Sequence, residues 1–307
     1  MCNHQSRCFL TFIYLLSIVL IGTGLAVADN IRDKLKIPEP GNTQIITLND
    51  GSSLRGEIIE VGENEIKFKS DLGEMTIDID KITEIKEVSQ SSFKGGKYWF
   101  PNPNRTRLYF SPTARCLEQG NGYFSSWYLF FPGVTYAITD NISLGGGFSI
   151  FPGLDIPNEQ FLYLTPKVGI STGGSLDFAV SALVVFLPPD IEDEDDEDQV
   201  PDFFGLLYGL TTIGSDNHSL TLGLGYGYAE DEFGDKPAVI VGGETRVSRR
   251  MSLVAESWIL PGVDEPLIAY GTRFFGEGLA VDLAFLTLIG EDGIFPGIPY
   301  LGFVYNF

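Results

Sequence analysis

The stretch Ser219–Tyr228 reads SLTLGLGYGY. Leu220, Leu222, Leu224, Tyr226 and Tyr228 take one set of alternate places, and Thr221, Gly223, Gly225 and Gly227 take the other. A strict period of two belongs to a β-strand with unlike faces. Here one face is oily and bulky, and the other is small or polar. In a soluble strand the bulky side turns inward onto a core. Thr and Gly cannot fill a core, so this strand is expected to turn its oily side outward.

The pattern recurs outward from that strand. Leu176, Phe178, Val180, Ala182, Val184 and Phe186 share a face, as do Ile142, Leu144, Phe148 and Ile150. Tyr128, Phe130, Val134, Tyr136 and Ile138 form another such set. Twelve segments can be marked: 105–116, 124–138, 142–151, 161–172, 176–187, 203–214, 219–229, 237–247, 252–260, 266–275, 279–289 and 299–307. Short connections such as 139–141, 173–175, 248–250 and 276–278 alternate with longer ones such as 152–160, 188–202 and 290–298. Tight turns at one end and longer loops at the other are the mark of a membrane-spanning β-barrel. Strands of about 9–11 residues suffice to cross tilted through hydrocarbon. The fold expected is all-β: a 12-stranded antiparallel transmembrane β-barrel over residues 105–307.

The chain opens with Arg7, an apolar run (FLTFIYLLSIVLIG), and Ala26-Val27-Ala28, which reads as a cleaved export signal over 1–28. Cys2 and Cys8 would leave with it, and Cys116 alone cannot form an intrachain disulfide. A net charge of −21 opposes nucleic-acid binding, which needs basic groups against phosphate.

Residues 29–42 read as a linker. Residues 43–88 form a second unit of about five short alternating strands, punctuated by the turn signal Asn49-Asp50-Gly51. Residues 89–104, rich in Ser, Gly, Pro and Asn, read as a second linker.

Two resemblances follow. Leu48-Asn-Asp50-Gly51 with Gly56 five places on resembles the opening of the Sm-like/SH3-like small barrels. Sm-like barrels often bind RNA, but 43–88 holds eleven acidic residues against five basic ones, so a module for a periplasmic protein partner is the expectation. The final strand alternates through Leu301, Phe303 and Tyr305 to Phe307. It resembles the C-terminal signature of bacterial outer-membrane β-barrel proteins. That resemblance implies placement in outer-membrane lipid and recognition of Phe303, Tyr305 and Phe307 by the barrel-assembly machinery.

Projecting the alternation turns nine charges inward: Arg107, Arg115, Lys167, Asp177, Glu244, Arg246, Glu256, Arg273 and Asp282. They read either as a constriction that selects solutes or as an ion-pair network filling the lumen. Twelve strands lie between the filled eight-stranded barrel and the open sixteen-stranded one. Gly145, Gly147, Gly223, Gly225 and Gly227 either widen a passage or let the sheet bend.

The run 190–198, DIEDEDDED, lacks the glycine that an EF-hand loop needs and reads as a solvated outer loop. Past the export signal one histidine remains, His218, expected in a turn. A Ser–His or Asp–His hydrolase at the outer rim would therefore lack its base. No metal centre, cofactor or enzyme is expected. The functional expectation is a narrow passive channel for small solutes; the alternative is a non-conducting adaptor barrel whose N-terminal module holds a protein partner.

Overall fold

The computed structural model describes residues 31–154, 159–172, 174–188, 202–229, 232–290 and 293–307. The export signal and the acidic run 190–198 lie outside the described residues. The chain divides between Phe100 and Pro101 into two compact units.

The first unit begins with a one-turn helix, α1 (Ile31–Lys34), followed by five strands: β1 (Asn42–Leu48), β2 (Ser53–Val61), β3 (Glu65–Ser70), β4 (Gly73–Asp78) and β5 (Ile82–Ser89). They pair antiparallel in the order β4-β3-β2-β1-β5. Alternate residues build its core: Ile46, Ile58, Ile66, Phe68, Ile77, Ile79, Ile82 and Ile85 are all buried. Ile31 and Leu35, from the stretch expected to be a linker, pack on that core. The β1–β2 turn closes where expected, with Gly51 at φ +82° and the Ser52 amide donating to Asp50 Oδ1 at 2.8 Å. Buried Gln44 accepts from the Ile58 amide at 2.9 Å and donates to the Lys36 carbonyl at 2.8 Å. Residues 89–104 are not a featureless linker. Gly95 and Gly96, both at positive φ, turn a small hairpin of β6 (Phe93–Lys94) and β7 (Lys97–Tyr98). The dipeptide supplies the left-handed conformations that a two-residue hairpin turn needs.

The second unit holds twelve antiparallel strands among the described residues: β8 (Gly122–Trp127), β9 (Phe131–Ala137), β10 (Ile142–Phe148), β11 (Leu162–Ser171), β12 (Leu176–Phe186), β13 (Phe203–Ser215), β14 (His218–Ala229), β15 (Glu232–Ser248), β16 (Met251–Ile259), β17 (Leu267–Phe275), β18 (Leu279–Leu288) and β19 (Ile298–Asn306). Each pairs with the next, and β19 returns to β8 from Gly302↔Trp127 to Asn306↔Tyr123, closing the barrel. Closure leaves no unpaired sheet edge.

The strand count agrees with the sequence reading, but the route differs. Residues 105–116 are not a wall strand. The run 124–138 is not one strand either: Tyr128 and Leu129 turn back at φ 51° and 66°, and the Phe130 amide returns to the Trp127 carbonyl at 3.1 Å. Positive φ is rare outside glycine and asparagine, so this apolar stretch carries no visible turn signal. Tyr128 therefore leaves the outward set and packs edge-on against Tyr300, with ring centroids 5.0 Å apart. The wall begins at Gly122, and β8 takes the seam beside β19 that residues 105–116 were expected to fill.

The two faces are as the alternation requires, except on β9, where Val134 of the outward set is buried. Leu220, Leu222 and Leu224 stand 46%, 42% and 58% exposed, while Thr221 on the same strand is fully buried. Phe178, Val180, Val168, Ile170, Leu283 and Leu301 are likewise exposed. So continuous an apolar exterior is unfavourable in water and natural against hydrocarbon. No helix among the described residues is long and apolar enough to cross a membrane.

Replacing Leu222, at the middle of β14, by Arg is expected to cost about 2–4 kcal/mol of folding stability in lipid. Urea unfolding from phospholipid vesicles measures it. An unchanged midpoint would mean that this face does not meet the bilayer core.

Candidate functional site in the barrel lumen

Residues 104–115 double back inside the barrel as a hairpin. Arg107 bridges to Pro112, the Leu108 amide donates to the Ser111 carbonyl at 2.8 Å, and the Thr113 amide to the Thr106 carbonyl at 2.9 Å. Leu108, Tyr109, Ser111 and Ala114 are essentially without solvent exposure. The two-strand ladder is short, so most of the hairpin's backbone groups need partners from the wall.

Those partners are the inward charges. Arg273, from β17, has five N–H donors, and all five are used. Its Nε donates to Asp282 Oδ1 at 2.7 Å and one Nη2 bond reaches Asp282 Oδ2 at 3.1 Å. Nη1 donates to Glu244 Oε2 at 3.1 Å. The other two bonds grip the hairpin, at the Arg107 carbonyl (3.2 Å) and the Leu108 carbonyl (2.7 Å). Glu256, one strand away on β16, has the complementary task. It accepts from the Phe110 amide at 2.9 Å, the Ser111 amide at 3.3 Å and the Ser111 hydroxyl at 2.7 Å. A cation therefore holds the carbonyls before the turn, and a carboxylate holds the amides after it.

The remaining inward charges extend the clamp. Arg107, on the hairpin, pairs with Asp282 at 2.6 Å. Glu244 also accepts from Asn102 at 2.8 Å. At the other end of the hairpin, Lys167 Nζ donates to the Arg115 carbonyl at 2.6 Å and the Thr113 carbonyl at 3.3 Å. Arg115 lies 3.6 Å from Asp177 and donates to the carbonyls of Gly214 and Ser215. Arg246 stands apart, bonded to Asn217 and to the carbonyls of the 248–249 turn. Arg107 and Arg115 were expected on a wall strand; both instead ride on the enclosed hairpin. The other seven project inward from the wall, and all nine are buried.

Magnitudes decide how to read this network. Desolvating a guanidinium and its carboxylates costs several kcal/mol per ion, so the cluster as a whole adds little net stability. Its geometry instead fixes where the hairpin sits, because any displacement would leave buried charges unpaired.

The hairpin does not fill the whole cross-section. Between it and the wall from β8 to β13 lies a cavity of about 180 Å³, lined by Tyr109, Phe110, Trp127, Tyr163, Tyr208 and Trp258 among others. The glycines neither open a passage nor serve bending alone. A Cβ on Gly147 would come within 2.3 Å of the Tyr163 hydroxyl, so its absence lets that ring lie along the wall, stacked on Trp127 at 5.3 Å. A Cβ on Gly242 would lie 2.4 Å from Leu108, so that glycine makes room for the hairpin.

His218 is exposed at the start of β14, outside this lumen cluster. Among the described residues no group of three or more His, Cys, Asp and Glu is placed to hold a metal ion.

No family model and no curated protein matches the chain. Among solved structures, the chain is similar to a loop L8 deletion mutant of OmpT, an outer membrane protein of Vibrio cholerae, at 12% identity and TM-score 0.33 over 87% of this chain and 96% of that one. A triple mutant of Rhodopseudomonas blastica porin matches at 9% identity and TM-score 0.32, over 87% and 97%. Salmonella typhi OmpF in complex with daunomycin matches at 9% and 0.31, over 87% and 95%. Scores this low add nothing to the strand pairing described above.

Replacing Arg273 by Met is expected to destabilise the protein by about 3–5 kcal/mol, because Asp282 and Glu244 stay buried without their cation. Arg273→Met combined with Asp282→Leu should cost clearly less than the sum of the single changes. Urea unfolding of the four proteins checks this, and additive costs would contradict the clamp.

Proposed function

We propose that this chain is an outer-membrane barrel held shut by its own hairpin, serving as a non-conducting anchor for the module that precedes it. The observation that carries the reading is the Arg273 guanidinium. It spends three donors on wall carboxylates and two on hairpin carbonyls. A constriction that selects solutes keeps its charges hydrated and facing open water. Here Arg273 and Asp282 have no solvent exposure at all. The open narrow channel expected from the twelve-strand count is therefore the less favoured reading.

Outer-membrane placement is supported by three features taken together: the closed pairing, the oily exterior, and a final strand whose Phe303 packs on Phe124 of the seam at 5.7 Å. In this reading outer-membrane lipid covers the exterior. The barrel-assembly machinery reads Phe303, Tyr305 and Phe307, and the export signal over 1–28 delivers the chain. The 43–88 unit is then a periplasmic module, similar to the Sm-like/SH3-like barrels in its five short strands and its Asn-Asp-Gly turn. Its ionic surface, with Lys67 paired to Glu60 and Lys81 to Asp78, suits a protein partner better than nucleic acid. Hydrogen bonds from Asn42 and the Glu39 amide, with Lys36 alongside, hold the Glu87 carboxyl down to about 2. That group stays ionised at any periplasmic pH.

Conductance in planar bilayers tests the proposal. The intact protein should give no steady unitary current, and deleting residues 105–114 should produce a lasting ion leak from barrels that still assemble. Steady ohmic conductance from the intact chain would overturn the shut-barrel reading.

A further inference from the structure

Lys167 is a buried cation without a buried anion. It is 7% exposed, and its ammonium donates to two hairpin carbonyls. Among the described residues no carboxylate lies within ion-pair distance of it, whereas Arg107, Arg115 and Arg273 each have one. An ammonium has three donors, so two carbonyls leave one unspent. Buried charge is costly unless it is matched.

The side chain also lines the 180 Å³ cavity. The charges that line that cavity are Lys167 and Arg107, and Arg107 is neutralised by Asp282. None of the lining residues is acidic. The other walls are mainly aromatic, with aliphatic Leu117, Val134 and Leu183 and serine and threonine hydroxyls between the rings. The lumen is thus divided: Glu244, Glu256 and Asp282 gather on the β15–β18 side against the hairpin. On the β8–β13 side Asp177 is paired with Arg115 and does not line the cavity, which is left with rings and one uncompensated positive charge. A void of this size takes about one six-membered ring. Ring faces suit a flat apolar body, and a lone ammonium suits a carboxylate through a charge-assisted hydrogen bond.

We infer that the β8–β13 cavity is a binding site for a small monocarboxylate carrying a single ring, with its carboxylate on Lys167 and its ring among Trp127, Tyr163 and Tyr208. The site takes the hairpin as resident in the lumen, since Tyr109 and Phe110 form one of its walls. Binding and conductance are separate readouts. A shut barrel that binds nothing refutes the site alone, and a conducting barrel refutes the plug.

Benzoate titrated into the full-length protein in detergent tests the inference. Trp127 and Trp258 line the cavity and report through their fluorescence, over the constant background of Trp99; calorimetry supplies an independent affinity. Benzoate should bind saturably and at least about tenfold more tightly than benzyl alcohol, benzylamine or acetate. Lys167→Met should remove the preference for benzoate over benzyl alcohol while the barrel stays heat-modifiable on gels. The comparison of the four probes on the unaltered protein stands even if that variant does not assemble. No saturable benzoate binding, equal binding of benzylamine or acetate, or an undiminished preference in Lys167→Met would each overturn the inference.

Discussion

Charge sealed inside a low-dielectric lumen is costly unless it is matched, and the barrel unit pairs most of its buried charges across wall and hairpin. The wall brings four buried carboxylates inward (Asp177, Glu244, Glu256 and Asp282) against the three cations Lys167, Arg246 and Arg273. The wall alone is therefore not neutral. The hairpin supplies Arg107 and Arg115, and also the backbone amides that Glu256 requires. Neither part is electrostatically complete by itself. This mutual dependence favours one seated position, because a shift of a few ångströms would strand several ions at once.

The exterior follows a simpler rule. Each wall strand turns alternate residues to the exterior, and the pairing register keeps the oily sets on the same side. Interior and exterior constrain each other through the same period of two. A residue cannot move to the lumen without carrying its neighbours to the outer face. That is why glycine serves on the inner set: at Gly147 and Gly242 a larger residue would displace Tyr163 or the hairpin's Leu108.

How much of this was legible in the chain follows from which signals are local. Alternation is local, so the β14 pattern at Leu220–Tyr228 disclosed both faces, and most wall strands lie close to the marked segments. The inward projection of Lys167, Asp177, Glu244, Arg246, Glu256, Arg273 and Asp282 needs only parity. The hairpin was hidden because residues 105–116 alternate as well as any strand does; only Pro112 and the absence of a long oily face hint otherwise. The Tyr128-Leu129 turn was hidden because neither residue favours positive φ. These two errors offset each other, one strand too many at the start and one too few after it, so the count of twelve survived. The contacts from Arg273 to the carbonyls of Arg107 and Leu108 span more than 160 positions, and no local pattern encodes them.

Hydrogen–deuterium exchange of the hairpin amides in the intact, lipid-embedded protein meets the central claim most directly. The Leu108, Phe110, Ser111 and Ala114 amides are bonded to the hairpin itself, to Glu256 and to Thr212. They should exchange as slowly as the barrel strands around them. Exchange at the rate of a solvated linker, with the strands still protected, would show that residues 104–115 do not reside in the lumen.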